Sequence, residues 1–390
     1  MALASAVAMQ AHAADADADA TDQSGAAGAG GEGSSVEGLV VTAEQNRVTS
    51  QAPAKASLDE TEPESIITSK FIQQLTPEDG GWTTVVSIAP SVAGGISSNG
   101  GIGDYQTITL RGFQDGFFNI TYDGIAFGDT NNPTHHSADY FPTSTVGAVV
   151  VDRGPGAAGD LGQANFGGAM HMFSPDVSDA FGLQQKVTYG SFDSWGSVTT
   201  LNTGALPQAG GAKLLLNFDE RSSDGELSDA GGHQYNALAK LIVPIGDKAS
   251  LTLFGNAEYN VFNFEDSSGP GETWAQVEAL GKNFSMNDNP LSEHYTGYNF
   301  ELKRTDFYYA DFKDALTSSF NLEDQAYTYH YSNKTLSSND LTGFTGPDEN
   351  GTPAVNGAAA VSNTSAPYVA GPDTDIGGYN KLNEYRVFGD

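Results

Sequence analysis

Along residues 251–260 apolar and polar side chains take turns. Leu251, Leu253, Gly255, Ala257 and Tyr259 fall on one face, and Thr252, Phe254, Asn256, Glu258 and Asn260 on the other. A period of two marks a strand with different surroundings on its two sides. The first face is apolar with an aromatic end, as hydrocarbon requires, and the second is mostly polar, as a wet lumen requires. Tyr- and Phe-rich runs of the same texture predict strands near 183–191, 194–204, 212–221, 234–244, 249–260, 299–309 and 316–331, and a last one at "EYRVFGD". Each is roughly ten residues, enough to cross a bilayer when tilted. The short "ADFKD" is expected to turn between the strands near 299–309 and 316–331. The alternation changes phase near Asp324, so periodicity alone leaves a soluble β-sandwich open beside a membrane barrel.

The half before residue 179 has a mixed texture. Ile67, Phe71 and Leu75 stand four apart, a helical stripe, and "WTTVVSIAP" predicts a second short helix ended by Pro90. "TITLRG" and "NITYDGIAF" read as strands, with Asp123-Gly124 as a hairpin turn. "VVVDRGPGAAGDLG" then matches the glycine spacing of a dinucleotide fingerprint, Gly154, Gly156 and Gly159. That fingerprint needs a helix opening at its third glycine. Here "DLGQANFGGAMHMF" follows, with more glycines and no helical stripe, so the glycines are expected to permit close strand packing instead.

Upstream, "ALASAVAMQAHA" resembles the end of a secretory signal over residues 1–13, and residues 14–35 form an Asp-, Ala-, Gly- and Ser-rich tether. "VEGLVVTA" at 36–43 breaks this monotony as a β-prone run, suited either to begin a domain or to be offered to a partner's sheet edge. No later run of 18 apolar residues exists, which excludes a membrane-spanning helix but not a membrane barrel.

A net charge of -32 without a basic stripe speaks against nucleic acid. With no cysteine, thiol catalysis, disulfides and thiolate metal sites are excluded. GxSxG and HExxH are absent and no carboxylate pair stands out, so no enzyme, cofactor or metal site is expected.

"TITLRGF", "NITYDGIAF", "VGAVVVDRGPGAAGDLGQANFGGAMHMFS" and "VTYGSFDSW" occur in an order and spacing that resemble the TonB-dependent receptors of the bacterial outer membrane. The resemblance runs from Val36 to about Gly204 and implies a transmembrane β-barrel with a small α/β plug in its lumen. Residues 44–178 would be the plug and residues 179–390 the N-terminal part of the barrel. The family's barrel has about 22 strands. Eight cannot close it, so the chain is expected to be a piece of a longer receptor in a Gram-negative outer membrane, in contact with its lipid.

The resemblance further implies uptake of a scarce small extracellular ligand, an iron chelate such as a ferric siderophore being favoured over a saccharide or cobalamin. Val36, Glu37, Gly38, Leu39, Val40, Val41, Thr42 and Ala43 would be the TonB box, engaged by a TonB-type energy-transducing protein of the inner membrane. Arg111 and Arg153 match plug arginines that meet barrel carboxylates in the family. Gln114, Phe117, Phe118, His135, His136 and Tyr140 offer ligand-binding rings and hydrogen bonds by their position in the plug. Neighbours on an extended segment point opposite ways, so His135 and His136 suit no shared metal. The competing class is a secreted or surface β-rich adhesin, with "VEGLVVTA" as its first strand.

Overall fold

The computed structural model describes residues 54–55, 63–76, 80–94, 102, 108–128, 140–154, 166–263, 274, 277–278, 281–288, 295–340 and 377–390. The leader, the tether, the TonB box and the two adjacent histidines expected from the sequence lie outside the described residues.

The first half builds a small α/β unit. Its elements are β1 (Ala54–Lys55), β2 (Glu64–Ile67), α1 (Ser69–Leu75), α2 (Trp82–Val86), β3 (Val92–Gly94), β4 (Ile108–Leu110), β5 (Phe113–Gln114), β6 (Asn119–Tyr122), β7 (Ile125–Ala126), β8 (Ala148–Asp152) and β9 (Ala169–Phe173). They form one sheet in the order β1-β2-β8-β9-β6-β7 and a smaller one, β3-β4-β5. Thr68 caps α1, its hydroxyl accepting from the Phe71 N–H at 3.2 Å. The helical stripe needs correcting: Ile67 ends β2, Phe71 is half-buried, and the residue α1 buries is Ile72. Asp123 and Gly124 take positive φ of 49° and 85° in the β6–β7 turn, the geometry an Asp-Gly hairpin supplies.

Gly156 and Gly159 lie outside the described residues, but the pairing of the strands around the glycine run excludes a nucleotide unit. β8 and β9 run antiparallel, which no βαβ nucleotide unit allows. Gly168 opens β9 at φ 117°, where an added Cβ would lie 2.2 Å from the Asp152 carbonyl oxygen. Only glycine lets the two backbones approach this closely.

The second half is one antiparallel meander: β10 (Phe181–Tyr189), β11 (Trp195–Thr203), β12 (Lys213–Ser223), β13 (Gly232–Ile245), β14 (Ala249–Asn263), β15 (Phe300–Thr317), β16 (Phe320–Asp340) and β17 (Gly377–Gly389), paired in chain order. "ADFKD" is not a turn. It continues β15, where Lys313 bridges Asp311 on its own strand and Glu323 on β16, and the chain reverses at 318–319 after a register shift between Asp314 and Thr317. The last strand begins at Gly377, ahead of "EYRVFGD". Connections 204–212, 246–248 and 318–319 are short at one rim, whereas 264–299 and 341–376 are long at the other.

The alternation in β14 holds in space. Phe254, Asn256, Glu258, Asn260 and Phe262 are buried on the inner face, and Leu253 and Ala257 are exposed on the outer. The inner face is not simply a wet lumen, however, since the α/β unit packs against it and Leu215, Leu238, Phe254, Phe307, Tyr309, Tyr329 and Tyr331 join its core. Outside, Leu183, Leu216, Phe218, Leu253 and Tyr308 stay exposed as an apolar band. Tyr308 lies over Gly255, whose added Cβ would meet its ring at 3.0 Å. An apolar outer band with an occupied interior is the pattern of a plugged membrane barrel, not of a soluble sandwich.

Candidate functional site: the seam between plug and wall

The first α/β unit and the meander meet along a seam of two chemistries. On one flank Tyr122 stacks on Phe141 at 3.7 Å between centroids, and Phe307 from β15 meets the two rings edge-on at 5.8 and 5.4 Å. Phe254 of β14 reaches Tyr122 at 5.6 Å, and Tyr140 stacks with Tyr331 of β16 at 6.1 Å. Each such ring contributes about 1.5–3 kcal/mol by leaving water, plus a smaller gain from ring geometry. The Asp123-Gly124 turn docks here as well. Tyr309 donates to Asp123 Oδ2 at 2.9 Å and Gln325 Nε2 to its carbonyl at 3.1 Å. Desolvation, then the charge of Asp123, holds the Tyr122 phenol well above its ordinary pKa, and its hydroxyl donates to the Thr145 carbonyl at 2.7 Å.

On the other flank the seam is polar. Arg221 of β12 is almost fully buried and grips Asp219 on the same strand, Nε to Oδ1 at 2.8 Å and Nη2 to Oδ2. Its Nη1 donates across the seam to the carbonyl of Gly80 at 2.9 Å. That oxygen also accepts from the hydroxyl of Thr143 at 2.7 Å, and the Ser144 hydroxyl donates to Asp219 Oδ2 at 2.6 Å. A guanidinium suits this place because its planar fork satisfies a carboxylate and a carbonyl together. Polar ties are not confined to this flank: Lys240 Nζ donates to Ser174 Oγ at 2.7 Å, and among the rings Asn256 Nδ2 donates to the Tyr140 carbonyl at 2.8 Å.

The contacts that the described residues show for the two expected arginines lie within the small unit. Arg111 Nη1 donates to the carbonyl of Arg153 at 2.7 Å, and Arg153 reaches Ser65 Oγ at 2.5 Å and the Glu64 carbonyl at 3.1 Å. Both stitch the small unit to itself. They stand at the ends of β4 and β8, among that unit's own strands, and among the described residues neither meets a wall carboxylate. The arginine that crosses the seam belongs to the wall. Its signal was available, since residues 215, 217, 219 and 221 share the inner face of β12 and two of them are oppositely charged.

The expected ligand residues divide. Phe118 and Tyr140 are core residues at 2% and 0% exposure, Phe118 beneath the small sheet and Tyr140 with its hydroxyl 3.3 Å from that of Tyr385. Gln114 and Phe117 are exposed, Phe117 to 52%. His135 and His136 lie outside the described residues.

A family model described as the TonB-dependent receptor plug domain matches residues 57–169. No curated protein matches the sequence. Among solved structures the chain is similar to the siderophore receptor PiuA from Acinetobacter baumannii, at 15% identity and a TM-score of 0.54, covering 71% of this chain and 37% of that one. It is similar to the ferric-catecholate import receptor Fiu from E. coli K12, at 17% identity and TM-score 0.55 over 71% of this chain and 38% of the other. The ferric yersiniabactin uptake receptor FyuA from Yersinia pestis gives 17% and 0.53, over 73% and 43%. The chain thus spans about two fifths of the length of these receptors or less, and at such identities the likeness is one of fold. The small unit thus matches the plug-domain model of TonB-dependent receptors over residues 57–169, and the fold of small unit and wall together is similar to that of plug and barrel in such receptors.

Proposed function

We propose that the protein imports an iron chelate, such as a ferric siderophore, across the outer membrane of a Gram-negative bacterium. The observation that carries this reading is the seam itself: a folded small unit packs against the inner face of the wall and is joined to it by hydrogen bonds as well as by apolar packing. A lumen built only to be closed would need no such joint. The similar receptors named for siderophores and ferric catecholates support iron as cargo. Residues 36–43 would add as a strand to a TonB-type partner, the 14–35 tether giving reach, and the pull would rearrange the plug. Gln114 and Phe117, the exposed members of the sequence-derived set, and His135 and His136 are the residues proposed to meet the cargo.

The test is growth of the host under iron restriction, with and without the gene, on a panel of single ferric chelates. Loss of growth on one chelate, restored by the gene but not by a copy lacking residues 36–43, is the expected result. Unchanged growth on every chelate overturns the reading.

A further inference from the structure

The outer face of the wall is not evenly filled. On β13 and β14 two successive outward rungs hold only small residues, Ala237 opposite Ala257 and Ala239 opposite Gly255. Larger side chains stand beside them, Leu216 and Phe218 on β12 and Tyr308 on β15, so the surface sinks into an apolar basin of about 540 Å³. Hydrocarbon that merely bridged this hollow would leave its lining without partner atoms.

The chemistry changes at one end of the basin. Tyr235 and Tyr259 form the next outward rung, and the guanidinium of Arg304 lies over the Tyr259 ring at 5.5 Å. His233 stacks with Tyr259 at 6.1 Å and meets Tyr235 edge-on at 5.6 Å. Asp306, the next outward residue of β15, is taken by Arg386 at 2.9 and 2.8 Å, and Glu220 lies on the far side of the two tyrosines, opposite Tyr235. Arg304 is therefore an exposed cation with no carboxylate partner among the described residues. Tyrosines in such a row mark the border between hydrocarbon and head groups. β14 runs from the short connection 246–248 to the long one 264–299, so this end points to the rim of long connections, the external one in membrane barrels.

We infer that the basin holds an acyl chain of a phosphorylated, multiply acylated glycolipid of the outer leaflet, whose phosphate sits on Arg304. A guanidinium takes a phosphate bidentately, and the ring beneath keeps it aimed. A second copy of the chain fits less well, because a two-fold contact centred here would set one Arg304 against the other. The inference rests on the membrane wall and is independent of what the receptor imports.

The full receptor, stripped of lipid in detergent, is titrated with lipid A, with dephosphorylated lipid A and with phosphatidylethanolamine, and native mass spectrometry counts the lipids retained. One lipid A held about tenfold more tightly than either of the others is the expected result. Ala237→Leu with Ala257→Leu, which fills the basin and keeps the face apolar, should abolish that preference. Arg304→Gln should make lipid A bind as its dephosphorylated form does. Equal retention of the three lipids by the unaltered receptor overturns the inference, and that comparison stands whether or not a variant folds. Lipid A binding unchanged in the filled basin or in Arg304→Gln overturns it too. A dimeric receptor that the basin-filling pair renders monomeric would assign the basin to a second copy instead.

Discussion

Replacing Arg221 by Met tests the polar half of the seam most directly. The side chain is 2% exposed, as is Asp219, and Met keeps its length while removing three hydrogen bonds, two to Asp219 and one to Gly80. Asp219 would then be a buried carboxylate with the Ser144 hydroxyl as its remaining donor from the plug. Stranding one member of a buried pair costs about 3–5 kcal/mol. At about 1.4 kcal/mol per factor of ten, the ratio of docked to undocked plug falls by a hundredfold or more. The calculation has a second half: if the loss comes from the stranded charge, adding Asp219→Asn returns about 2 kcal/mol, because a neutral amide still accepts from Ser144. Trp82 supplies the assay, being fully buried at the start of α2 two residues from Gly80. With Trp195 and Trp274 changed to Phe, urea titration in detergent micelles follows the plug through its single indole. An Arg221→Met variant within about 1 kcal/mol of its parent, or a double variant no better than the sum of the two single ones, refutes the reasoning.

Tyr122→Phe is expected to cost about 1–3 kcal/mol in the same titration, since the Thr145 carbonyl loses its phenol donor in a dry site. Because the folded-state pKa of Tyr122 lies above the ordinary value, the stability it gives is complete below about pH 10 and declines only at higher pH, which tyrosinate absorbance can follow. Gly168→Ala should prevent the plug from folding, as its Cβ would overlap the Asp152 carbonyl at an already left-handed φ; a native-like Trp82 signal in that variant would refute this. Leu216→Arg, on the outward face of β12, should lower barrel stability in liposomes by about 2–4 kcal/mol if it lies near mid-bilayer, and an unchanged urea midpoint would place Leu216 outside the hydrocarbon.

The parts of this fold that were legible in the sequence are those written in local periodicity. The β14 alternation, the Asp-Gly turn and the strand rhythm each express one residue's relation to near neighbours, and all three recur in space. The β15–β16 turn was misplaced because both strands run beyond the plug, where residues 315–324 are exposed on both faces and polarity no longer reports direction. The site was less legible for a related reason. Whether Phe118 or Phe117 is buried, and whether an arginine answers to a carboxylate or to a carbonyl, depends on what lies opposite, and that partner is remote in sequence. Arg221 and Gly80 are 141 residues apart.

The uneven rims of the wall carry a consequence for how such a surface can change over generations. A ladder hydrogen-bonded from β10 to β17 and reversed by 246–248 and 318–319 tolerates little editing on that side. The opposite border joins the same strands through the much longer segments 264–299 and 341–376, which fall between the paired registers. Change in length or sequence is therefore absorbed more readily at that border than at the one closed by tight turns.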